Sequence, residues 1–281
     1  MINSGSMKSA GLNAAGRPRL VVDSAADSSR LSDLLRLMGG APTDVDPGLE
    51  TPVPMRRLRS GETLFHEGGR AEAIHMVRAG TFKTFRTAED GYEQVLGFSG
   101  RAEVLGFDAV CIGQHPTGCV ALEDSSVYAL LVRDFLGSGR RIPALDRVIT
   151  LAVSRALKQR VDLADVMAAV AAEVRLARFI LQLSQRMFEC GQSPRRFHLR
   201  MGRRDIASHL GVAHETVSRS FQALARWDLL SVSNREVEIL DMDGLKCLAR
   251  NTRRQTDDNG PADGAGTAAK AGDRATSRVA A

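Results

Sequence analysis

Four polar side chains within six consecutive residues have the chemistry to read the edges of DNA bases. They are His214, Glu215, Ser218 and Arg219. In the major groove, arginine donates to O6 and N7 of guanine, and glutamate accepts from N4 of cytosine. Glu215 and Arg219 are one helical turn apart, so they could read a guanine and a cytosine on opposite strands of adjacent base pairs, while Ser218 could reach a base or a phosphate. The alternative is a solvated helix on which the two charged residues form only an intrahelical salt bridge.

Two helices are predicted around this motif. On the first, Ile206, Ala207 and Leu210 share one face. Gly211 then supplies a turn, and Val212 fills the corner between the helices. On the second helix, three apolar residues recur at i, i+4 and i+7 and leave the polar side chains on the opposite face. These are Val217, Phe221 and Leu224. The pattern predicts a helix-turn-helix whose second helix lies in the major groove.

Positive charge is concentrated in the same part of the chain. The 281-residue protein has a formal net charge of +5, and residues 195–226 alone contain seven arginines against two acidic residues. Neutralising DNA phosphates with such side chains releases counterions and supplies much of the affinity of DNA-binding proteins. The arginines that lead into the first helix are Arg195, Arg196, Arg200, Arg203 and Arg204. We expect Arg203, Arg204 and Thr216 to bind phosphates.

Between about residues 56 and 135, short apolar segments alternate with glycine-containing turns. The clearest segments are residues 74–77, 81–86, 93–98 and 127–132. A turn signal every eight to twelve residues or so favours an antiparallel barrel or roll over a helical domain.

A long helix is predicted after these strands, from residue 142 to residue 170. Its apolar stripe consists of Leu145, Ile149, Ala152, Ala156, Leu163, Val166 and Val170. A helix of ~40 Å between the barrel and the helix-turn-helix could pair with a twin helix in a homodimer. The alternative is that the stripe only covers the barrel.

Composition divides the chain into a folded middle and two polar ends. Residues 1–50 and 255–281 are poor in aromatic residues and in periodic apolar spacing, so both are predicted to be disordered. The predicted domains between them are residues 51–138, 141–170 and 171–250. No apolar run of membrane or signal-peptide type is present, and the four cysteines lack metal-site spacing. We therefore expect a cytoplasmic protein with reduced thiols, no metal site and no membrane contact.

The order of barrel, long helix and helix-turn-helix resembles the CRP/FNR superfamily of transcriptional regulators over about residues 56–250. The resemblance is carried by GETLF at 61–65, IHMVRAGTFK at 74–83, LGFDAV at 105–110 and HETVSR at 214–219. It implies an α+β fold, with an antiparallel β-roll like that of cyclic-nucleotide-binding domains, a long dimerisation helix and a C-terminal winged helix-turn-helix.

The resemblance also implies a function for the motif. Glu215, Ser218 and Arg219 would read a TTGAT-type half-site, and a homodimer would bind an inverted repeat in double-stranded DNA with half-sites about one helical turn apart. Members of this group commonly activate transcription through RNA polymerase, some repress, and their usual output is anaerobic or microaerobic metabolism.

Two sensing mechanisms of the family do not match this sequence. Relatives that bind cyclic AMP use a Glu after a Gly and an Arg in the next turn, whereas this chain has GFDA at 106–109, HPTG at 115–118 and no Arg or Lys between residues 101 and 133. A buried phosphate without a cationic partner is costly. An iron-sulfur cluster needs four thiolates, but residues 1–110 contain no cysteine, and Tyr128 occupies the place of the ligand in the barrel. Neither cofactor is expected.

Weaker sensing alternatives remain open at this point. Cys111 and Cys119 could form a small disulfide or supply a redox-reactive thiol, and His66, His75 or His115 could bind haem or a metal. Against both stands the common role of such residues as inert or satisfied parts of a core. The default is a FixK-like regulator that has no dedicated sensor and is controlled by its own expression.

The sequence does not favour two other classes of function. An enzyme is not expected, because the chain has no GxGxxG, GxxxxGK, GxSxG or HExxH motif and no evident pair of catalytic carboxylates. A non-specific nucleic-acid binder would owe its affinity to the arginines alone, and it would show no preference for a base sequence.

Overall fold

The computed structural model describes residues 29–40, 48–136 and 142–250. The strands are β1 (Ser29–Arg30), β2 (Pro52–Val53), β3 (Met55–Leu58), β4 (Thr63–Phe65), β5 (Ala73–Ala79), β6 (Phe82–Thr87), β7 (Glu93–Ser99), β8 (Val104–Leu105), β9 (Gly118–Ala121), β10 (Ser125–Leu131), β11 (Arg196–His198), β12 (Leu230–Ser233) and β13 (Glu236–Ile239). The helices are α1 (Leu31–Leu37), α2 (Val132–Leu136), α3 (Pro143–Ala168), α4 (Ala172–Glu189), α5 (Arg203–Leu210), α6 (His214–Arg226) and α7 (Met242–Arg250). The predicted α+β fold class is confirmed.

The β-roll consists of two four-stranded antiparallel sheets with the orders β3-β10-β5-β8 and β4-β9-β6-β7. Apolar side chains from both sheets meet in one buried cluster, to which Leu64 and Phe82 contribute from one sheet and Val77 and Val127 from the other. Their burial supplies the driving force for closing the roll. Strand β7 lies at the edge of its sheet, which leaves one side of its backbone free to contact another element.

Gly80, in the turn between β5 and β6, offers a stability test of the roll. Its φ is +97°, and an added Cβ would overlap the side chain of Ser125. We expect Gly80→Ala to lower the free energy of unfolding by more than the ~1–3 kcal/mol that a strained backbone conformation costs. Gly91→Ala is the matched control, because Gly91 has φ +82° but nothing within 4 Å of the added Cβ. Equal losses for the two variants in urea unfolding would contradict this packing of Gly80.

Helix α1 corrects part of the prediction that residues 1–50 are disordered. Leu31, Leu34 and Leu35 are buried in a cluster with residues of α3 and of the roll, including Met55 and Ala152. The apolar patch was visible in the sequence, but the surface that buries it comes from segments far along the chain. Residues 1–28 and 41–47 and the tail predicted to be disordered, residues 255–281, lie outside the described residues.

Helix α3 packs against its own chain with the face that was predicted to form the dimer interface. Leu145 and Ala152 of the predicted stripe are buried with α1 and the roll, and Val166 is buried with the C-terminal domain. The other predicted stripe residues within α3 are half-buried, and Val170 lies beyond the end of α3 and is 71% exposed. The first part of the stripe therefore packs on α1 and the roll, as in the alternative interpretation, and Val166 packs on the C-terminal domain. A different face of α3 is exposed, with Val153, Leu157 and Val161 42%, 65% and 63% accessible.

The C-terminal domain has α4, α5, α6 and α7 around one core, flanked by a three-stranded sheet of order β11-β13-β12. The β12–β13 hairpin forms the wing. Throughout the described ranges, no helix is long and apolar enough to span a membrane.

Candidate nucleic-acid interface

The helix-turn-helix forms as the local sequence predicts. Helix α5 ends at Leu210, and the next residue, Gly211, has a φ of 62° and a ψ of 39°, a left-handed conformation that suits glycine. Three residues later α6 begins at His214. Ile206 and Leu210 from α5 pack in the same core as Val217 and Phe221 from α6. This shared core fixes one helix against the other, so α6 moves only together with α5.

The polar face of α6 points away from that core. His214, Glu215 and Arg219 are exposed, and Ser218 is half-buried with its hydroxyl donating to the carbonyl of His214 at 3.3 Å. Gln222 is exposed one turn beyond Ser218, and sequence analysis did not select it. The four predicted base-reading residues thus lie on one side of one helix.

Glu215 and Arg219 do not form the intrahelical salt bridge that was the alternative interpretation of their spacing. Among the described residues, neither side chain has a hydrogen bond or an ion pair. Both charges are therefore available to a ligand. Their hydrogen-bonding groups can bind base edges without first breaking contacts within the chain.

Arg203 has a packing role that the sequence did not reveal. Its guanidinium lies over the ring of Phe221 at 3.5 Å from the centroid and donates to the carbonyl of Asn234 in the wing at 3.3 Å. Burial lowers its pKa from the ordinary value. Arg203 therefore links α5, α6 and the wing, whereas the neighbouring Arg204 is exposed. Thr216 is half-buried at the start of α6.

The wing adds a cation that sequence analysis missed. The turn between β12 and β13 consists of Asn234, with φ 54°, and the exposed Arg235. A concave surface of about 510 Å³ is lined by residues of the α5 start, the α6 start and the wing: Leu199, Met201, Gly202, Arg203, Arg204, Asp205, His214, Asn234 and Arg235. The Asn-Arg dipeptide between two short alternating segments was the available signal for this hairpin.

Two of the arginines that precede α5 do not contribute to this surface. Arg195 donates to the carbonyl of Leu240 at 3.3 Å, and Arg200 pairs with Glu123 of the β-roll at 3.1 Å. Arg195 thus links two segments of the C-terminal domain, and Arg200 links that domain to the roll. A count of charge in the sequence does not distinguish these contacts from contacts with phosphate.

A cavity of about 320 Å³ lies where the roll meets α3 and α4, and its lining includes Gly106, Phe107 and Asp108 of the GFDA segment after β8. Its two arginines are both paired with carboxylates: Arg160 is 3.6 Å from Asp108, and Arg186 is 3.3 Å from Glu103. A cyclic phosphate placed there would have to compete with these carboxylates. The absence of a nucleotide cofactor remains a prediction.

The proposed redox and haem residues are dispersed. All four cysteines are unpaired, Cys111 is exposed and Cys119 is buried, and burial raises the pKa of the Cys119 thiol. Tyr128 is buried and its hydroxyl accepts a hydrogen bond from Ser29 at 3.2 Å. No group of three or more His, Cys, Asp or Glu side chains in the described part of the chain could hold a metal ion. A thiolate at Cys119 is disfavoured, which weakens the redox alternative.

Of the three histidines predicted as possible ligands, His75 and His115 are buried and His66 is exposed; His209 is buried as well. His115 stacks on Phe65 with the ring centroids 3.9 Å apart. Burial lowers the pKa of His75 to about 3 and that of His209 to about 4. His209 lies between Phe98 and Phe179, with centroid distances of 5.2 and 5.5 Å. These rings are therefore neutral parts of the core at neutral pH.

The buried histidines predict how stability depends on pH. An unfolded histidine has a pKa of about 6.5, so below that pH the unfolded state binds more protons than the folded state. We expect the free energy of unfolding to fall by about 2 kcal/mol for each of His75 and His209 between pH 7 and pH 5. Urea unfolding at a series of pH values measures this loss. His209→Gln should remove roughly half of it, and a wild type equally stable at both pH values would contradict the assignment.

Both the β-roll and the C-terminal domain match known protein families. The family model of the cyclic nucleotide-binding domain matches residues 55–137. The family model of the Crp-like helix-turn-helix domain matches residues 174–248. The fumarate and nitrate reduction regulatory protein of Salmonella typhimurium is 34% identical over 196 residues, which are 70% of this chain and 78% of that protein. The chain belongs to the CRP/FNR superfamily. It is therefore a DNA-binding transcriptional regulator, and its family is not one of enzymes.

Other members of the superfamily support the assignment. The transcriptional regulatory protein Btr of Bordetella pertussis is 34% identical over 210 residues, covering 74% of this chain and 87% of that protein. The solved structure of FixK2 from Bradyrhizobium japonicum is similar in fold, with a TM-score of 0.60, 23% identity and coverage of 70% of this chain and 96% of that one. The helix-turn-helix that these comparisons identify includes α5 and α6.

Proposed function

We propose that the protein is a homodimeric, sequence-specific regulator whose two α6 helices read a TTGAT-type inverted repeat. The observation that carries this proposal is the pair of exposed charges on α6, Glu215 and Arg219, which have no partner among the described residues. Arginine selects guanine and glutamate selects cytosine through hydrogen bonds to their base edges. Ser218, on the same face, contacts a base or a phosphate.

Phosphate contacts flank the base-reading face. Arg204 at the start of α5 and Arg235 at the tip of the wing are exposed on either side of a concave surface that also includes His214. Together they position the start of α6 in the groove without selecting a sequence. Arg203 supports them indirectly by holding the wing against Phe221.

The dimer forms through the exposed face of α3. Val153, Leu157 and Val161 recur at i, i+4 and i+8 and are among the large apolar residues that remain accessible. Apolar side chains at this spacing form a stripe along one side of a helix, which packs against the same stripe of a second copy about a twofold axis. One such axis would place the two α6 helices in the two halves of an inverted repeat.

Control of the regulator rests on its abundance. The arginines of the cavity beside α3 are paired, and the buried thiol of Cys119 is poorly suited to redox chemistry. A protein without a sensor would bind its sites whenever it is expressed, as expected for a FixK-like branch that lacks iron-sulfur cysteines. Its similarity to fumarate and nitrate reduction regulators favours activation of anaerobic or microaerobic genes through contacts with RNA polymerase.

The proposal is tested by titrating protein purified in air, with no added ligand, against a fluorescent duplex that carries a TTGAT inverted repeat. A scrambled duplex of the same composition is the control, and anisotropy reports binding. We expect the repeat to be bound at least about 1,000-fold more tightly, as is usual for specific over non-specific sites. Equal affinity for both duplexes would contradict sequence-specific reading, and binding of the repeat only after addition of an effector would contradict control by abundance.

A further inference from the structure

Helix α5, the first helix of the helix-turn-helix, closes the open edge of the β-roll. Strand β7 pairs with β6 on one side only, and its other side faces α5. Such an edge has backbone amides and carbonyls that need partners. In this protein the partners come from Ser208, near the end of α5.

Ser208 contacts β7 with both its side chain and its backbone. Its hydroxyl donates to the carbonyl of Glu93 at 2.8 Å and accepts from the amide of Val95 at 2.9 Å. Gln94 donates from its side chain to the carbonyl of Ser208 at 3.0 Å. The serine is 6% exposed. Since buried polar groups are costly when unpaired, these hydrogen bonds strongly favour one position of α5 against the strand.

An ion pair holds the other end of α5. Lys83 of β6 lies 2.8 Å from Glu93 and 3.1 Å from Asp205. Asp205 also accepts from the amide of Gly202 at 3.1 Å and so caps the start of α5. On α5, the residues that make these contacts are Asp205, which pairs with Lys83, and Ser208, which bonds to β7. They are about one helical turn apart, and together they resist rotation of the helix against the roll. Next to Ser208, the ring of His209 also packs on Phe98 of β7, with the centroids 5.2 Å apart.

The covalent connection between the two domains offers less constraint. Helix α3 ends at Ala168, and α4 begins at Ala172. The residues between them include Ala169 and Ala171 with ψ of 139° and 136°, which are extended. Such a break in the helix allows two torsion-angle changes to alter the angle between α3 and the DNA-binding domain. Contacts between α5 and β7 therefore help to set that angle, together with the ion pair of Arg200 and Glu123 and the hydrogen bond from Gln182 of α4 to the carbonyl of Asp162 in α3 at 2.7 Å.

We propose that Ser208 is a positioning residue: by fixing α5 to β7 it sets the orientation of α6 relative to the dimerisation helix, and so the half-site spacing that the dimer accepts. This inference rests on the proposed function. Once one α6 of the dimer has bound its half-site, binding of the second α6 is an intramolecular step. The effective concentration of the second α6 at its half-site depends on how well it is already aligned. A loosened α5 leaves each α6 able to read its half-site but lowers that effective concentration.

The test compares Ser208→Ala with wild type on three duplexes: the TTGAT inverted repeat, a single half-site, and a repeat with one added base pair, which rotates one half-site by about 35°. We expect Ser208→Ala to bind the full repeat about tenfold more weakly and the half-site within about twofold of wild type. We also expect it to discriminate less between the two spacings. A variant that merely unfolds the domain would lose half-site binding as well.

Two further variants separate positioning from folding. Gln94→Ala removes a contact from the β-roll side and leaves the DNA-binding domain unchanged, so it should shift spacing preference in the same direction. Ser220→Ala is the matched control, because this serine is also buried but its hydroxyl donates to Glu173 of α4, within the same domain, at 3.5 Å. It should keep the spacing preference of wild type.

Hydrogen exchange without DNA supplies a second readout. Loss of the hydroxyl should speed exchange at the Val95 amide in Ser208→Ala but not in Ser220→Ala. If wild type fails to distinguish the repeat from scrambled DNA, the proposed function fails, and the positioning role fails with it. If wild type distinguishes them but Ser208→Ala has the same spacing preference, or binds the full repeat more tightly, only the positioning role is overturned.

Discussion

Arg219→Ala should abolish the preference of the protein for a guanine at one position of each half-site. The guanidinium is exposed and unpartnered in the described structure, so its removal costs no contact within the chain. A bidentate contact of arginine with guanine contributes about 1–3 kcal/mol of discrimination. Affinity for the repeat should therefore fall by about 5- to 150-fold for each half-site, while affinity for scrambled DNA changes little. Fluorescence anisotropy with both duplexes measures the ratio.

Arg204→Ala is the control for this substitution. Arg204 is also exposed, but we place it against the phosphate backbone. Its removal should weaken binding to the repeat and to scrambled DNA by the same factor and reduce the slope of log affinity against log salt by about 1 per site. Arg203→Ala is unsuitable, because it would also remove packing on Phe221. A preference that survives Arg219→Ala would show that α6 does not read bases as assigned.

Leu157→Asp should convert the protein to a monomer. Leu157 is 65% exposed in a single chain, so the substitution leaves the core of that chain intact. In the dimer the side chain would be buried against its symmetry mate, where truncation of a leucine alone costs about 2–5 kcal/mol. The substitution also brings two carboxylates together near the twofold axis, and desolvating them adds to the cost. Sedimentation velocity at micromolar concentration should show a single species of half the wild-type mass.

Leu240→Asp is the matched control for the dimer experiment. It places the same charge at another exposed leucine, 48% accessible, between β13 and α7. This variant should remain a dimer. The monomeric Leu157→Asp should bind a single half-site as well as wild type does but lose the gain from the second half-site. A wild type that is itself monomeric yet binds the repeat with full affinity would contradict pairing through α3.

Local sequence was sufficient for the helix-turn-helix. Gly211, the apolar spacing on either side of it and the polar residues from His214 to Arg219 determine the turn and both helix faces without long-range contacts. The β-roll was also predictable in kind, because turns recur between short segments. In each case the signal lies in neighbouring residues, and the backbone conformation follows from their own torsional and packing preferences.

The remaining features depend on partners that are distant in sequence. The stripe from Leu145 to Val166 packs on its own chain because α1 and the C-terminal domain cover it. Helical periodicity identifies an apolar face but does not identify what buries it. Ser208 similarly has no distinguishing sequence context, since its role depends on the edge of β7, over 100 residues earlier. The sequence predicts Arg203 as a phosphate ligand, because its contacts with Phe221 and with Asn234 of the wing are visible only in the folded chain.

The most direct test of the central claim is a thermodynamic cycle between Arg219 and the guanine of the TTGAT half-site. Wild type and Arg219→Ala are each titrated against the repeat and against a repeat in which this G·C pair is replaced by A·T in both halves. If Arg219 reads that guanine, the two changes will be non-additive by about 1–3 kcal/mol per half-site. Additive losses would show that Arg219 and this base pair act independently, and would contradict base reading by α6 at this position.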